Sequence, residues 1–288
     1  MLMRGFIIAI AAALVLSACA GAPVERAEAR ASDAPLALAI AGDWRTTEDR
    51  ARDQYRHPAE ALAFWGLEPE MTVVEIAPGG GWWTHILAPY ARMTSGRYVS
   101  ASGDLGAPNV SEGARAGRAE FISRFSDAGI YGRVEVVDFS MRAGLALPAE
   151  SADFILVARA FHNWARTEGA TDQFMSEFAR VLRPGGVLAV EQHRALPGTN
   201  VTESAPTGYV PEAYVIDAAS RAGLVLAARS EINANPQDTR DHPFGVWTLP
   251  PIARTSPQGA PPDPSFDRSR YDAIGESDRM TLRFVKPE

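Results

Sequence analysis

The stretch with most chemical content is Val73-Val74-Glu75-Ile76-Ala77-Pro78-Gly79-Gly80-Gly81. An apolar run that ends near an acid and opens into three glycines reads as a buried strand, a tight turn and the start of a helix. Glycines at such a turn let backbone approach a nucleotide-like ligand with no Cβ in the way, and the helix N-terminus beyond them favours anionic groups. A dinucleotide fingerprint wants a third glycine three residues after the second. Counted from Gly79 and Gly81 that position is Thr84, which argues against NAD. The bland alternative is that these glycines only shape a turn.

Other residues gather where the same sheet edge should be. Asp138-Phe139 follows the apolar run Val134 to Val137; there an acid can bond an adenine amino group and a ring can cover it. Arg159-Ala160-Phe161-His162-Asn163-Trp164 follows the next run, placing a polar and aromatic cluster at a carboxyl edge. His162 and His193, each just past a strand, are candidates for removing a proton from a nucleophile, because an imidazole titrates near neutral pH. Asp241-His242-Pro243-Phe244-Gly245, in a late proline-rich stretch, could fold over the same edge, or be a solvated loop. His57, His85, His162, His193 and His242 lack HxH or HExxH spacing, so no metal site is expected. Trp82-Trp83 suits either core packing or a pocket wall.

These groups need a scaffold, and the hydrophobic pattern supplies one. Strands are expected over Met71 to Ile76, Gly96 to Ser100, Val134 to Val137, Phe154 to Ala158 and Val187 to Glu191. Helical segments fall between them, at Trp82 to Tyr90, Ser111 to Ala128 and Asp172 to Leu182. Repeated β and α units with apolar strands predict an α/β fold with a parallel sheet covered on both faces. A helix over Tyr214 to Ala222 and strands over Leu224 to Ser230 and Asp278 to Val285 should complete it. Residues 233–271 show little periodicity and form an insertion, of the kind that is either functional or disordered.

The chain start is of another kind. Met1 to Arg4 carries one positive charge, Phe6 to Ala18 is apolar but short for a membrane span, and Leu16-Ser17-Ala18-Cys19 resembles a bacterial lipobox. Residues 1–18 are therefore expected to be a lipoprotein signal peptide and 19–43 a tether, leaving residues 44–288 as the folded domain. Cys19, the single cysteine, would carry the lipid. With Ala20 next to it, the expected location is the cell envelope, in the outer membrane facing the periplasm. A net charge of −7 and the lack of basic clusters argue against nucleic acid as a partner.

Glu75 with the Gly79 to Gly81 loop, Asp138-Phe139, and Leu182-Arg183-Pro184-Gly185-Gly186-Val187-Leu188 resemble, in order and spacing, motifs of class I S-adenosylmethionine-dependent methyltransferases. Tyr55 to Glu60, Glu75 to Thr84, Asn235-Pro236 and Asp278-Arg279 further resemble an uncharacterised family of exported bacterial methyltransferase-like proteins. The resemblance runs from about Asp49 to Lys286. It implies a Rossmann-like doubly wound, mostly parallel sheet with an antiparallel C-terminal strand. It also implies S-adenosylmethionine as cofactor, held by Glu75, Gly79, Gly80, Gly81, Asp138 and Phe139; Pro78 in the same loop and Arg159 at the carboxyl edge are further candidates for that site. The family's acid at the end of the second strand, which takes the ribose hydroxyls, is replaced here by Ser100-Ala101-Ser102-Gly103, and Asp104 is the substitute on offer. The expected reaction is methyl transfer to a small-molecule acceptor beneath the insertion. Two other readings use the same residues: an envelope ligand-binding protein without turnover, and a different enzyme with His162 or His193 as base.

Overall fold

The computed structural model describes residues 33–288; the apolar leader, Cys19 and the first part of the tether lie outside them. Eight strands form one sheet: β1 (Thr72–Ile76), β2 (Arg97–Gly103), β3 (Val134–Ser140), β4 (Gly144–Leu145), β5 (Ala152–Ala158), β6 (Leu182–His193), β7 (Val225–Ser230) and β8 (Arg279–Val285). Their order is β4-β3-β2-β1-β5-β6-β8-β7. Strands β3, β2, β1, β5 and β6 run parallel, whereas β8 is antiparallel to both neighbours. This is the Rossmann-like α/β sheet with an antiparallel C-terminal strand that the sequence led us to expect.

Alternation along the strands divides the core. Val74, Ile76, Val99, Ile155, Val157, Leu188 and Val190 face one layer, where Phe174, Met175 and Phe178 of the helix Ala170–Val181 cover them. Val73, Tyr98, Phe154, Leu156 and Ala189 face the other, under the helices Pro58–Trp65 and Thr84–Met93. Strands buried on both faces must be apolar almost throughout, and for that reason they read as runs and not as an alternating pattern. Each fully buried Val or Leu contributes about 1.5–3 kcal/mol of transfer free energy.

Element boundaries differ where tertiary pairing extends a strand. The third strand was expected to stop at Val137, but pairing of Asp138 with Ser102 and Phe139 with Gly103 carries β3 to Ser140. Asp138-Phe139 thus lies inside a strand and not after one. The Leu182 to Gly186 turn is absorbed as the exposed start of β6. The insertion is also more ordered than its composition suggests. It contains a 3-10 turn at Gly245–Thr248 and a short helix at Ser269–Ile274, and it buries Asn233, Asp238, His242, Val246, Thr248 and Leu249.

Strand order reverses on either side of β1, with β2 on one flank and β5 on the other. In open α/β sheets the connections diverge at such a point and leave a crevice beyond the carboxyl ends of the strands. The glycine loop after β1 sits there.

Candidate functional site

Glu75 is almost fully buried near the end of β1. Its Oε2 accepts from the Tyr98 hydroxyl at 2.6 Å and from Thr84 Oγ1 at 2.8 Å. Burial pushes its pKa up to about 7, and those two hydroxyls oppose the shift only in part. The carboxyl is thereby poised between its neutral and charged forms at physiological pH.

The loop beyond it holds three glycines with two different jobs. A Cβ built on Gly79 or Gly80 would meet nothing within 4 Å, so both positions border open space. At Gly81, where φ is +83°, a Cβ would come 2.4 Å from Phe125 Cζ. Gly81 is therefore required by packing and by its left-handed backbone, while Gly79 and Gly80 leave room for a ligand.

Two cavities share the walls Ala77, Pro78 and Gly79. The one on the β2 side, about 540 Å³, is lined largely by apolar groups, among them Leu105, Val110 and Phe121, with Ser102, Gly103, Asp104 and Arg118 at its polar parts. The one on the β5 side, about 320 Å³, is polar and is bordered by Asp49, Arg52, Glu75, Gly79, Gly80, Trp82, Trp83, Arg159, Pro251 and Ile252. A long ligand with one flat apolar end and one zwitterionic end matches this pair, joined at the glycine loop.

Several expected site residues take other places. The Asp104 carboxylate is committed inside the protein: Oδ1 accepts from Arg142 at 2.6 Å and from the Gly106 N–H at 2.8 Å, and Oδ2 from Ser140 at 3.0 Å. The Arg142 hydrogen bond, helped by Ser140 and Gly106, holds its pKa below the usual carboxylate range. Asp104 borders the larger cavity, yet its oxygens would have to leave these partners to take two hydroxyls. The Phe139 ring points into the core, 4.4 Å from Phe174 and 5.8 Å from Phe178, and borders neither cavity. Asp138 accepts from Arg118 at 3.2 Å, and this pair stands beside the larger cavity, which Arg118 lines.

The histidine candidates assemble away from the cleft. His162 and His193 do come together, with ring centroids 6.1 Å apart, and Trp247 of the insertion packs on His162 at 5.8 Å. Neither borders the two joined cavities. Burial, with help from Arg166, pulls the His162 pKa down to about 4. Burial also drives His193 well below its usual value, and its Nδ1 is bonded to Ser277 Oγ at 2.5 Å. His242 is tied through Nε2 to the buried Asp238 carboxylate at 2.8 Å, in a cluster completed by the Tyr209 hydroxyl at 3.0 Å. The Asp241 side chain is mostly exposed beside it and borders a separate cavity with Ser204 and Tyr209. Among the described residues no group of three His, Cys, Asp or Glu is placed to hold a metal ion.

What the sequence reading missed comes from far along the chain. Asp49 and Arg52 reach the cleft because Trp82 Nε1 donates to the Asp49 carbonyl at 3.0 Å and Arg52 pairs with Glu276 at 2.8 Å. Behind them Arg56 and Arg279 share Glu276, at 2.9 and 3.0 Å, and Arg279 also binds Glu191 at 2.6 Å. Arg56 lies over the Trp82 ring at 4.7 Å. Tyr55-Arg56, Asn235 and Asp278-Arg279, scattered in sequence, thus meet in one network, with Arg279 Nη2 donating to the Tyr55 carbonyl at 2.9 Å and Asn235 N–H donating to Asp278 at 2.8 Å. The Trp82-Trp83 pair was the available signal, since two adjacent indoles after a glycine loop need partners.

With this geometry in place, residues 74–190 match the family model described as a methyltransferase domain. No curated protein sequence matches the chain significantly. Among solved structures, a protein from Galdieria sulphuraria provisionally named a sarcosine dimethylglycine methyltransferase is 17% identical, with a TM-score of 0.50, over 86% of this chain and 90% of that one. A SAM-dependent methyltransferase from Aquifex aeolicus is 22% identical, with a TM-score of 0.46, over 64% of this chain and 87% of that one. Residues 74–190 thus carry a methyltransferase-domain match, and the fold around them is of the class I methyltransferase type. S-adenosylmethionine is the cofactor of such domains, and the residues around Gly79 and Gly80 are the ones that would hold it in the two-part cleft.

Proposed function

We propose that the protein transfers a methyl group from S-adenosylmethionine to a small-molecule acceptor. The observation that carries this reading is the pair of cavities meeting at Gly79, at the point where strand order reverses, with open space above Gly79 and Gly80. When bound, the cofactor supplies an electrophilic methyl group on a cationic sulfur. The protein's own part is alignment and exclusion of water. Leu105, Val110 and Phe121 give the larger cavity an apolar wall for a flat ring, with Asp138 and Arg118 beside it. Glu75, Asp49 and Arg52 offer charges of both signs to an amino-acid end, and Trp82 with the Pro251–Ile252 arm shields the smaller cavity.

The insertion acts on the cleft through Pro251 and Ile252 and not through Asp241 or His242. His162 and His193, held neutral, are given no proton-transfer role in this reading; His162 supports the insertion through Trp247. We further propose that the reaction takes place in the cell envelope, with the chain anchored by lipid on Cys19, as its leader sequence suggests. No helix among the described residues is long and apolar enough to cross a membrane. Titration calorimetry of S-adenosylmethionine and S-adenosylhomocysteine into the purified protein tests the first proposal, and absence of binding at millimolar concentration would overturn it. A Cys19→Ala variant tests the second: it should leave the membrane fraction, and unchanged membrane recovery would refute the anchor.

A further inference from the structure

Among the described residues, Arg159 is the cation bordering the cleft whose guanidinium makes no direct hydrogen bond or ion pair. It stands just past β5 with φ +57°, its N–H donating to the Glu191 carbonyl at 2.7 Å. Its neighbours are all held: Arg52 and Arg56 by Glu276, and Arg279 by Glu276 and Glu191. The Arg159 guanidinium has no ion pair or hydrogen bond within the described residues, and its Nη1 is shut off from solvent without a partner. A partly buried guanidinium that feels Glu191 and Glu276 but bonds to neither is less well satisfied than its paired neighbours, more so beside the place where a cationic sulfonium would react. Such an arrangement is stable when an anion is brought in. The cofactor's amino-acid end is already offered Asp49, on the short helix Thr47–Ala51, and Arg52 just past its end, opposite in charge.

Resting on the methyl-transfer reading, we infer that Arg159, expected from the sequence to hold the cofactor, instead anchors a carboxylate of the acceptor, so that the substrates are small carboxylic acids. A planar guanidinium suits this task, since it donates two parallel hydrogen bonds to one carboxylate. The Pro251–Ile252 arm lines the same cavity and would close behind the acceptor.

The test uses the purified full chain saturated with S-adenosylhomocysteine, with acetate, succinate and benzoate as probes and their amides as neutral controls. At least one acid should bind, and its amide should not. Arg159→Met and Arg159→Gln should weaken that acid by about tenfold or more while S-adenosylhomocysteine stays within about threefold of wild type. Binding of 5′-methylthioadenosine, which lacks the amino-acid end, certifies the cleft in each variant. If the neutral variants do not fold, Arg159→Lys carries the test and should still weaken the acid several-fold. Three results overturn the inference: no acid binds, the variants bind it as wild type does, or they lose S-adenosylhomocysteine but keep 5′-methylthioadenosine. The last would assign Arg159 to the cofactor's own carboxylate. A wild-type chain that binds neither nucleoside would instead refute the methyl-transfer reading itself.

Discussion

Cofactor affinity should rise with pH through neutrality, and Glu75 is the reason. Its buried carboxyl titrates at about 7, so at pH 6 roughly one molecule in eleven carries the charge and at pH 8 roughly ten in eleven. A ligand whose ammonium lies over the glycine loop binds the ionised form preferentially. Its dissociation constant should therefore fall about tenfold between pH 6 and pH 8, or about 1.4 kcal/mol, and level off above that. The assay is calorimetric titration of S-adenosylhomocysteine at half-unit pH steps, in two buffers of different ionisation enthalpy. Near pH 7 binding should release about half a proton. In Glu75→Gln the proton release should vanish and the pH profile flatten, with weaker binding at pH 8. An affinity that is flat or falls across this window in the wild type, or a Gln variant with the same profile, would refute the reasoning.

The glycine assignments predict opposite failures. Gly80→Val should leave the melting temperature nearly unchanged and weaken the cofactor by about tenfold or more, since its side chain enters open cleft. Gly81→Val should lower stability by about 1–3 kcal/mol, through its left-handed backbone and the clash with Phe125, as chemical denaturation would show. Stability should also fall in acid in a defined window. The guanidinium groups around Glu276, Arg279 first, depress its pKa from 4.5 to about 2 against the cost of burial. A depressed folded pKa gives stability that is fully present above 4.5 and is lost as pH drops toward 2, about 3 kcal/mol for this group. Glu75 has the opposite sign: its raised pKa makes stability decline as pH rises from 4.5 to about 7. Urea unfolding of wild type and Glu276→Gln from pH 3 to 8 separates the two, and the variant should be less stable at pH 7 but flatter in acid. Finally, replacing 251–265 with a short Gly-Ser linker should keep the fold and cofactor binding but remove turnover. Replacement starting at 235 should unfold the protein, because it deletes the buried Asp238 that receives bonds from Tyr209, His242 and Asp278.

Much of the architecture was legible in the chain because it is written locally. Apolar runs such as Val73 to Ile76 and Phe154 to Ala158 have no stable place except a strand covered on both faces, and three glycines after such a run permit little but a tight turn. The Rossmann-like order and the glycine loop follow from those local constraints. The fine structure of the site does not, since it depends on who meets whom across the fold. Nothing near Asp104 in sequence says that Arg142 will take its carboxylate, and nothing near Phe139 says that β2 will extend the strand and turn the ring into the core. Arg52 finds Glu276 across 224 positions, and Arg159 is left without a direct bond because Glu191 and Glu276 spend their oxygens on Arg279, Trp83, Arg56 and Arg52. Residue type fixes what a side chain is able to do; three-dimensional competition for partners fixes which of them is left free to do it.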